Sequence, residues 1–321
     1  MKKIALASLL LLSPMPVLAQ PATVPSGAAP APGRAAQARP DILYTTAADI
    51  QALIKKASGE PPKPNVLETI VNLSPYRANL EYRAMTAPVA VHETEAELMV
   101  VLDGAATLVT GGTMTEPQRL NATNLAGTAI EGGTSQAVSK GDFMFVPQNT
   151  PHQLKDVKGV LVMMTFHVPR PYPATPDANP LPDKVYVSAA DVQNLLATAR
   201  AAPPKPIVAE QLVDLSPYRV QLEYNNVKGG AAVHVTQAEL MYVIDGAGDF
   251  QMGGTLIGQR GGPTNLGGTG IDGGTTYHLA KGDVIFVPEG TPHYVTSMAP
   301  GGLTLMTIHP PRPVVKEDAP K

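Results

Sequence analysis

The sequence predicts an all-β chain of two tandem barrels, each opened by a short α-helix. Three observations carry that expectation. One block of sequence occurs twice, each copy breaks into short apolar runs of strand length, and the 321 residues include 29 glycines and 33 prolines. So much glycine and proline works against long helices and supplies turns. Many short strands with that punctuation argue for an antiparallel barrel or sandwich.

The repeat is explicit. Tyr44-Thr45-Thr46-Ala47-Ala48-Asp49-Ile50 returns as Tyr186-Val187-Ser188-Ala189-Ala190-Asp191-Val192, and Leu73-Ser74-Pro75-Tyr76-Arg77 returns as Leu215-Ser216-Pro217-Tyr218-Arg219, both 142 positions on. After one deletion Lys140-Gly141-Asp142 matches Lys281-Gly282-Asp283, and Met164-Thr165-Phe166-His167 matches Met306-Thr307-Ile308-His309. Residues 41–170 and 183–312 are therefore two copies of one domain, joined by a proline-rich linker at 171–182 and followed by a tail at 313–321. The period is too long for a solenoid and reads as a domain duplication.

Within each copy, Thr46 and Ser188 are placed as N-caps, with Asp49 and Asp191 three residues on as the reciprocal capping partners. Ile50, Leu53 and Ile54 follow at helical spacing, and Pro61-Pro62 and Pro203-Pro204 stop the helices. Beyond them the pattern becomes strands: Arg77 to Arg83 alternates, and Leu98 to Leu102, Phe143 to Val146 and Val160 to Phe166 are buried-strand runs.

Composition narrows the chemistry. A net charge of −3 with only 16% charged residues suits neither nucleic acid nor an anionic membrane as a partner. Cysteine is absent, which excludes disulfides, thiolate ligands and cysteine nucleophiles. Lys2-Lys3, the apolar run Ile4 to Leu12 and the small residues of Val17-Leu18-Ala19 form an export-signal pattern, so residues 1–19 are expected to be cleaved. The run is too short to span a bilayer, where about 20 residues are needed. Such a start points to a bacterial periplasmic or secreted protein with no membrane anchor after cleavage. Residues 20–40 then form an Ala/Pro-rich tether expected to be disordered.

Two stretches in each copy carry chemistry. The first is His92-Glu93-Thr94-Glu95-Ala96-Glu97, closing at Gly104, and its partner is His234-Val235-Thr236-Gln237-Ala238-Glu239, closing at Gly246. On one uninterrupted strand that His–Glu spacing would put the two on opposite faces, so a bend is required between them. Glu93 and Glu95 have no acidic counterparts and read as solvated charges. The second stretch runs from Gly141-Asp142 through Phe143 to Val146, then Pro147 and Asn149, to His152. Its partner runs from Gly282-Asp283 to Pro288, Gly290 and His293. Turns at both ends of a short strand bring the His onto the next strand. Two His and one Glu on neighbouring strands can converge in the lumen around a divalent ion.

These paired stretches resemble the two motifs of the cupin superfamily, H-x-H-x(3,4)-E-x(6)-G and G-x(5)-P-x-G-x(2)-H-x(3)-N. Both occur in both copies, over about 260 residues, so the chain resembles a tandem bicupin with jelly-roll, or double-stranded β-helix, barrels. The first motif histidine is replaced by Ala90 and Ala232, and the final Asn by Asp156 and Ser297. The resemblance implies metal ligands His92, Glu97 and His152, and His234, Glu239 and His293, short of the usual fourth. A degenerate barrel, in which these side chains hydrogen-bond one another without metal, stays open beside that reading. The implied cofactor is a divalent transition metal, with Fe, Mn, Zn, Cu and Ni undistinguished. The partner is a small-molecule ligand or substrate, and homo-oligomerisation stays open. Metal-dependent oxygenase, isomerase or lyase chemistry is the first expectation, and a non-catalytic small-molecule or metal-binding bicupin is the alternative.

Other residues are lesser candidates. Tyr82 and Tyr224, in a repeated Leu-Glu-Tyr, could serve as general acid or base, against plain core packing. His167 and His309 read as hydrogen-bonding residues at strand ends, and His278 as exposed or lumen-lining. Met99 and Met241 should share the face of the ligand Glu. The segments 111–135 and 253–276 are long enough to form a lid or an ordered surface excursion.

Overall fold

The computed structural model describes residues 40–170 and 182–312. The expected export signal lies outside the described residues, as do the tether and linker but for Pro40 and Pro182, and the tail. Helices α1 (Ala47–Ser58) and α2 (Ala189–Ala201) form where the capping pattern placed them. Thr46 Oγ1 accepts from the Asp49 backbone N–H at 3.1 Å, and Ser188 Oγ does the same from Asp191. No helix among the described residues is long and apolar enough to cross a membrane.

The remainder is antiparallel sheet, as the sequence predicts. In the first copy the long strand Glu95–Thr110 organises the barrel. Its first half pairs with Phe143–Val146 and Leu161–Pro169, and its second half with Thr134–Ser139 and His152–Lys155. Glu239–Met252 has the same office in the second copy, pairing with Val284–Val287, Thr275–Ala280 and His293–Ile308.

Residues in these strands are buried on both faces, which is why the runs read as continuously apolar. Met99, Val101, Met144 and Met163 fill the first lumen, and Met241, Val243, Ile285 and Leu305 the second. On the same strands Leu98, Val100, Phe145, Phe166, Leu240, Phe286 and Ile308 point outward and meet in one core shared by both copies and both helices.

The repeats also exchange their opening strands. Tyr44–Thr45 pairs with Val284 and Ile285 of the second copy, and Tyr186–Val187 pairs with Phe143 and Met144 of the first. The Gly-Asp turns hold this exchange. Asp283 Oδ1 accepts the Ala47 N–H at the start of α1 and Asp142 Oδ1 accepts the Ala189 N–H at the start of α2, both at 2.7 Å. A carboxylate at a helix N-terminus meets unpaired amides and the positive end of the helix dipole. Gly141 has φ +91°, and a Cβ there would stand 2.9 Å from the Ala189 methyl, so the turn needs glycine on both counts.

Candidate metal centres

The bend required between His and Glu is present. His92 ends the strand Val89–His92, and Glu97 is the third residue of Glu95–Thr110. His152 opens the strand His152–Lys155 directly opposite Ala90. The second copy repeats this with His234, Glu239 and His293, the last opposite Ala232. All six predicted residues thus gather in two clusters, one per barrel. His152 Nε2 lies 3.3 Å and His92 Nε2 3.7 Å from Glu97 Oε2, and the corresponding distances in the second barrel are 3.1 and 3.6 Å.

A fourth residue joins each cluster where only a strand-end hydrogen-bonding role was expected. His167 stands in register opposite Glu97, with Nε2 3.6 Å from Glu97 Oε1. His309 Nε2 is 3.3 Å from Glu239 Oε1 and 3.3 Å from His234 Nε2. His167 and His309 thus approach, from the last strand of each barrel, the carboxylate beside the motif position that Ala90 and Ala232 leave empty. Each cluster holds three imidazoles and one carboxylate.

The hydrogen bonds fix which imidazole nitrogen faces inward. His92 Nδ1 bonds Asn124 Oδ1 at 2.7 Å, and His234 Nδ1 bonds Asn265 Oδ1 at 2.8 Å. His152 and His293 bond the carbonyls of Thr150 and Thr291 through Nδ1 at 3.0 and 2.9 Å. These acceptors offer only lone pairs, so each of these rings is protonated at Nδ1 and directs Nε2 at the carboxylate, as a lone pair when the ring is neutral. Lone pairs converging on a buried carboxylate are mutually repulsive until a cation sits among them. Glu97 Oε2 and Glu239 Oε2 are buried with the nearest imidazole nitrogens at 3.3 and 3.1 Å, a costly state for a charge that no proton or cation bridges. The His/Glu groups fit a divalent metal, and the ligand atoms of His92, Glu97 and His152 lie within 4.8 Å of one another, as do those of His234, Glu239 and His309.

Electrostatics divide the imidazoles into two kinds. Burial holds His92 and His234 below the ordinary imidazole value, only partly offset by Glu97 and Glu239, and so keeps them neutral. Burial also pulls His152 and His309 down, but contact with the neighbouring carboxylate outweighs it and the net shift is upward. Burial would raise Glu97 and Glu239. The charges of His167 and His152, and of His309 and His293, overcome it and hold both ionised.

The lesser candidates sort by strand parity. Tyr82 and Tyr224 face the shared core, where Tyr224 lies under the Arg200 guanidinium at 5.9 Å, so neither is available for acid–base chemistry in the lumen. The residue of Leu-Glu-Tyr that faces inward is the glutamate: Glu223 lines the second barrel's cavity together with Met241. Met99 is buried in the first lumen. His278 is exposed and bonds Asp249 on the outer surface. Glu93 is bound by Arg119, and Glu95 approaches His167 Nδ1 to 3.5 Å. The long segments are ordered excursions rather than free lids. Asn124–Gly127 and Asn265–Gly268 extend the barrel sheets and carry the asparagines that orient His92 and His234.

No family model matches the sequence, and no curated protein is similar to it in sequence. Its fold does match solved structures. Salicylate 1,2-dioxygenase from Pseudaminobacter salicylatoxidans superposes with a TM-score of 0.56 at 14% identity, covering 87% of each chain. A variant of that enzyme in complex with gentisate gives 0.55 at 14% identity, over 84% of this chain and 82% of the other. The topology, the paired motifs and these superpositions together show that the chain has the tandem cupin, or bicupin, fold of the cupin superfamily.

Proposed function

We propose that this protein is a metal-dependent bicupin enzyme that acts on a small aromatic molecule, with oxygenase chemistry favoured over isomerase or lyase chemistry. One observation carries the reading: a buried carboxylate ringed by three imidazoles whose Nε2 atoms face it, beside a cavity of about 460 Å³. The superposed dioxygenases, one of them a complex with gentisate, favour the aromatic substrate and the oxygenase reaction as analogies of fold. A divalent transition metal held by His92, Glu97, His152 and His167, or by His234, Glu239, His293 and His309, would supply Lewis acidity toward substrate oxygens.

The chain's own groups do the rest. Asn124, Asn265 and the Thr150 and Thr291 carbonyls hold the imidazoles with Nε2 facing inward, so ligation needs no turning of the rings. Phe250 and Leu305 line the cavity and offer a flat substrate an apolar surface to lie against. Elemental analysis tests the ligand set: His92→Ala with His234→Ala should strip bound metal, and unchanged metal content would overturn it. Dioxygen uptake with catechol-type substrates tests the reaction. A loaded protein that binds such molecules and leaves them unconverted is the binding module instead.

We also propose export to the periplasm or medium, on the Lys2-Lys3 start and the Ala19 cleavage pattern. Mass spectrometry of the mature protein should find Gln20 first, and an intact Met1 start in the cytoplasmic fraction would refute it.

A further inference from the structure

The two barrels share a ligating cluster but not the space beside it. In the second barrel the cavity wall away from the imidazoles includes Pro206, Glu223 and Asn225. In the first barrel the residue at the Asn225 position is Arg83. Its guanidinium binds Glu81 Oε2 through Nη2 at 2.6 Å and Nε at 3.0 Å, and Nη1 reaches the Pro64 carbonyl at 3.5 Å. Glu81 and Pro64 are the counterparts of Glu223 and Pro206, so the arginine spans a space that is open in the second barrel. A second tie, Gln153 Nε2 to the Ala87 carbonyl at 2.9 Å, joins the counterparts of Tyr294 and Gly229, which also line the open cavity. Exposure follows: Glu81 is 6% exposed, whereas Glu223 is open to the cavity.

The exchange also changes the charge of the wall. Glu223 has a hydroxyl against it, Thr307 Oγ1 at 3.1 Å, where Glu81 has a guanidinium. No lysine or arginine among the described residues pairs with Glu223. We propose that the second barrel alone is the ligand chamber. It admits a small flat molecule that turns oxygen atoms toward the imidazole cluster and a hydrogen-bond donor or cation toward Glu223, while Arg83 and Glu81 shut the first barrel. This rests on the metal-centre reading and adds which barrel works and which end of the ligand faces which wall. A bare carboxylate on a low-dielectric wall attracts a donor or cation and repels an anionic substituent.

The test is equilibrium binding of three probes to the zinc-loaded full chain, with zinc counted in the same samples. The probes are 3,4-dihydroxybenzylamine, catechol and 3,4-dihydroxybenzoate, which differ only at the end remote from the chelating oxygens. Work at pH 8 keeps Glu223 charged, since burial and then the Glu239 charge push it up only to about 7. One probe per chain is expected against two zinc ions, with the amine bound at least about tenfold more tightly than the benzoate. Glu223→Gln should erase that preference. Asn225→Arg should abolish probe binding with both ions retained, and Arg83→Asn with Glu81→Gln should raise the count to two. Two probes per wild-type chain, undiminished binding in the Asn225→Arg variant, or preference for the benzoate overturns the proposal. If Asn225→Arg does not fold, the other two variants decide it. Two zinc ions with the wrong probe count sink the division of labour alone, whereas a chain that takes up no zinc sinks the metal-centre reading together with it.

Discussion

Asn124 and Asn265 decide which nitrogen of His92 and His234 keeps its proton, and through that they set the donor strength of each cluster. Removing such an outer partner typically costs about 10–100-fold in metal affinity. Asn124→Ala and Asn265→Ala should therefore weaken zinc by that factor in chelator competition while leaving the unfolding midpoint of the metal-free protein nearly unchanged. An unaltered affinity would mean the asparagines do not orient the rings. Acid should act through other members of the clusters. His152 and His309 are held above their ordinary pKa by Glu97 and Glu239 despite burial, so in the metal-free protein each retains a proton that ligation must expel. Affinity should rise with pH by about one decade per unit up to those raised values and then level off. Calorimetry in two buffers of different ionisation enthalpy should find about one proton released per ion, and a pH-independent affinity would contradict it. Motif spacing alone made His92, Glu97, His152 and their partners legible. His167 and His309 were harder because they reach Glu97 and Glu239 by strand register, not by nearness in sequence. Parity held the clue, since Phe166 is an outward core residue and the next side chain must face in. The same parity, applied to Leu-Glu-Tyr, points to Glu81 and Glu223 rather than the tyrosines.

At the scale of elements, the Gly-Asp turn joins one barrel to the helix of the other. Asp142 accepts from the Ala189 N–H at 2.7 Å, the Ser139 N–H at 2.8 Å and the Tyr186 hydroxyl at 3.1 Å; Asp283 accepts from the Ala47 N–H, the Ala280 N–H and the Tyr44 hydroxyl. Bonds to an ionised acceptor contribute about 1.5–3 kcal/mol each, and losing the acceptor leaves buried donors unpaired. Asp142→Ala and Asp283→Ala should each cost roughly 3 kcal/mol in urea unfolding, and Asn, which keeps one acceptor oxygen, should recover part of it. A loss under about 1 kcal/mol for either would show that the turn does not anchor the helix. The helices, their caps and most strands were readable because local periodicity and capping specify them. The exchange was not, because two copies of one pattern offer equivalent partners. Tyr44 could pair with Met144 of its own copy as well, by pattern, as it does with Ile285 of the other.

For the whole molecule, that exchange is reciprocal: the first copy gives the second the same strand that it receives, on the same pair of faces. Such self-complementary contact is the geometry of a twofold dimer, here closed within one chain. The shared core has the same character, since Leu98, Val100, Phe145 and Phe166 of one copy lie with Leu240, Phe286 and Ile308 of the other. A half cut from the chain would carry a bare apolar face, an unpaired sheet edge beside Phe143–Val146 or Val284–Val287, and a loose opening strand. Exposed apolar surface and a free edge favour association over a solitary fold. Residues 20–176 or 177–321 produced alone should therefore run as a strand-exchanged homodimer or aggregate, and not as a folded monomer. Produced together, the two halves should assemble one-to-one and recover the metal content of the intact chain. Light scattering and elemental analysis read both outcomes. A half that is monomeric, cooperatively folded and metal-loaded would show that each barrel completes its own sheet, and that the exchange is not needed to hold the clusters together.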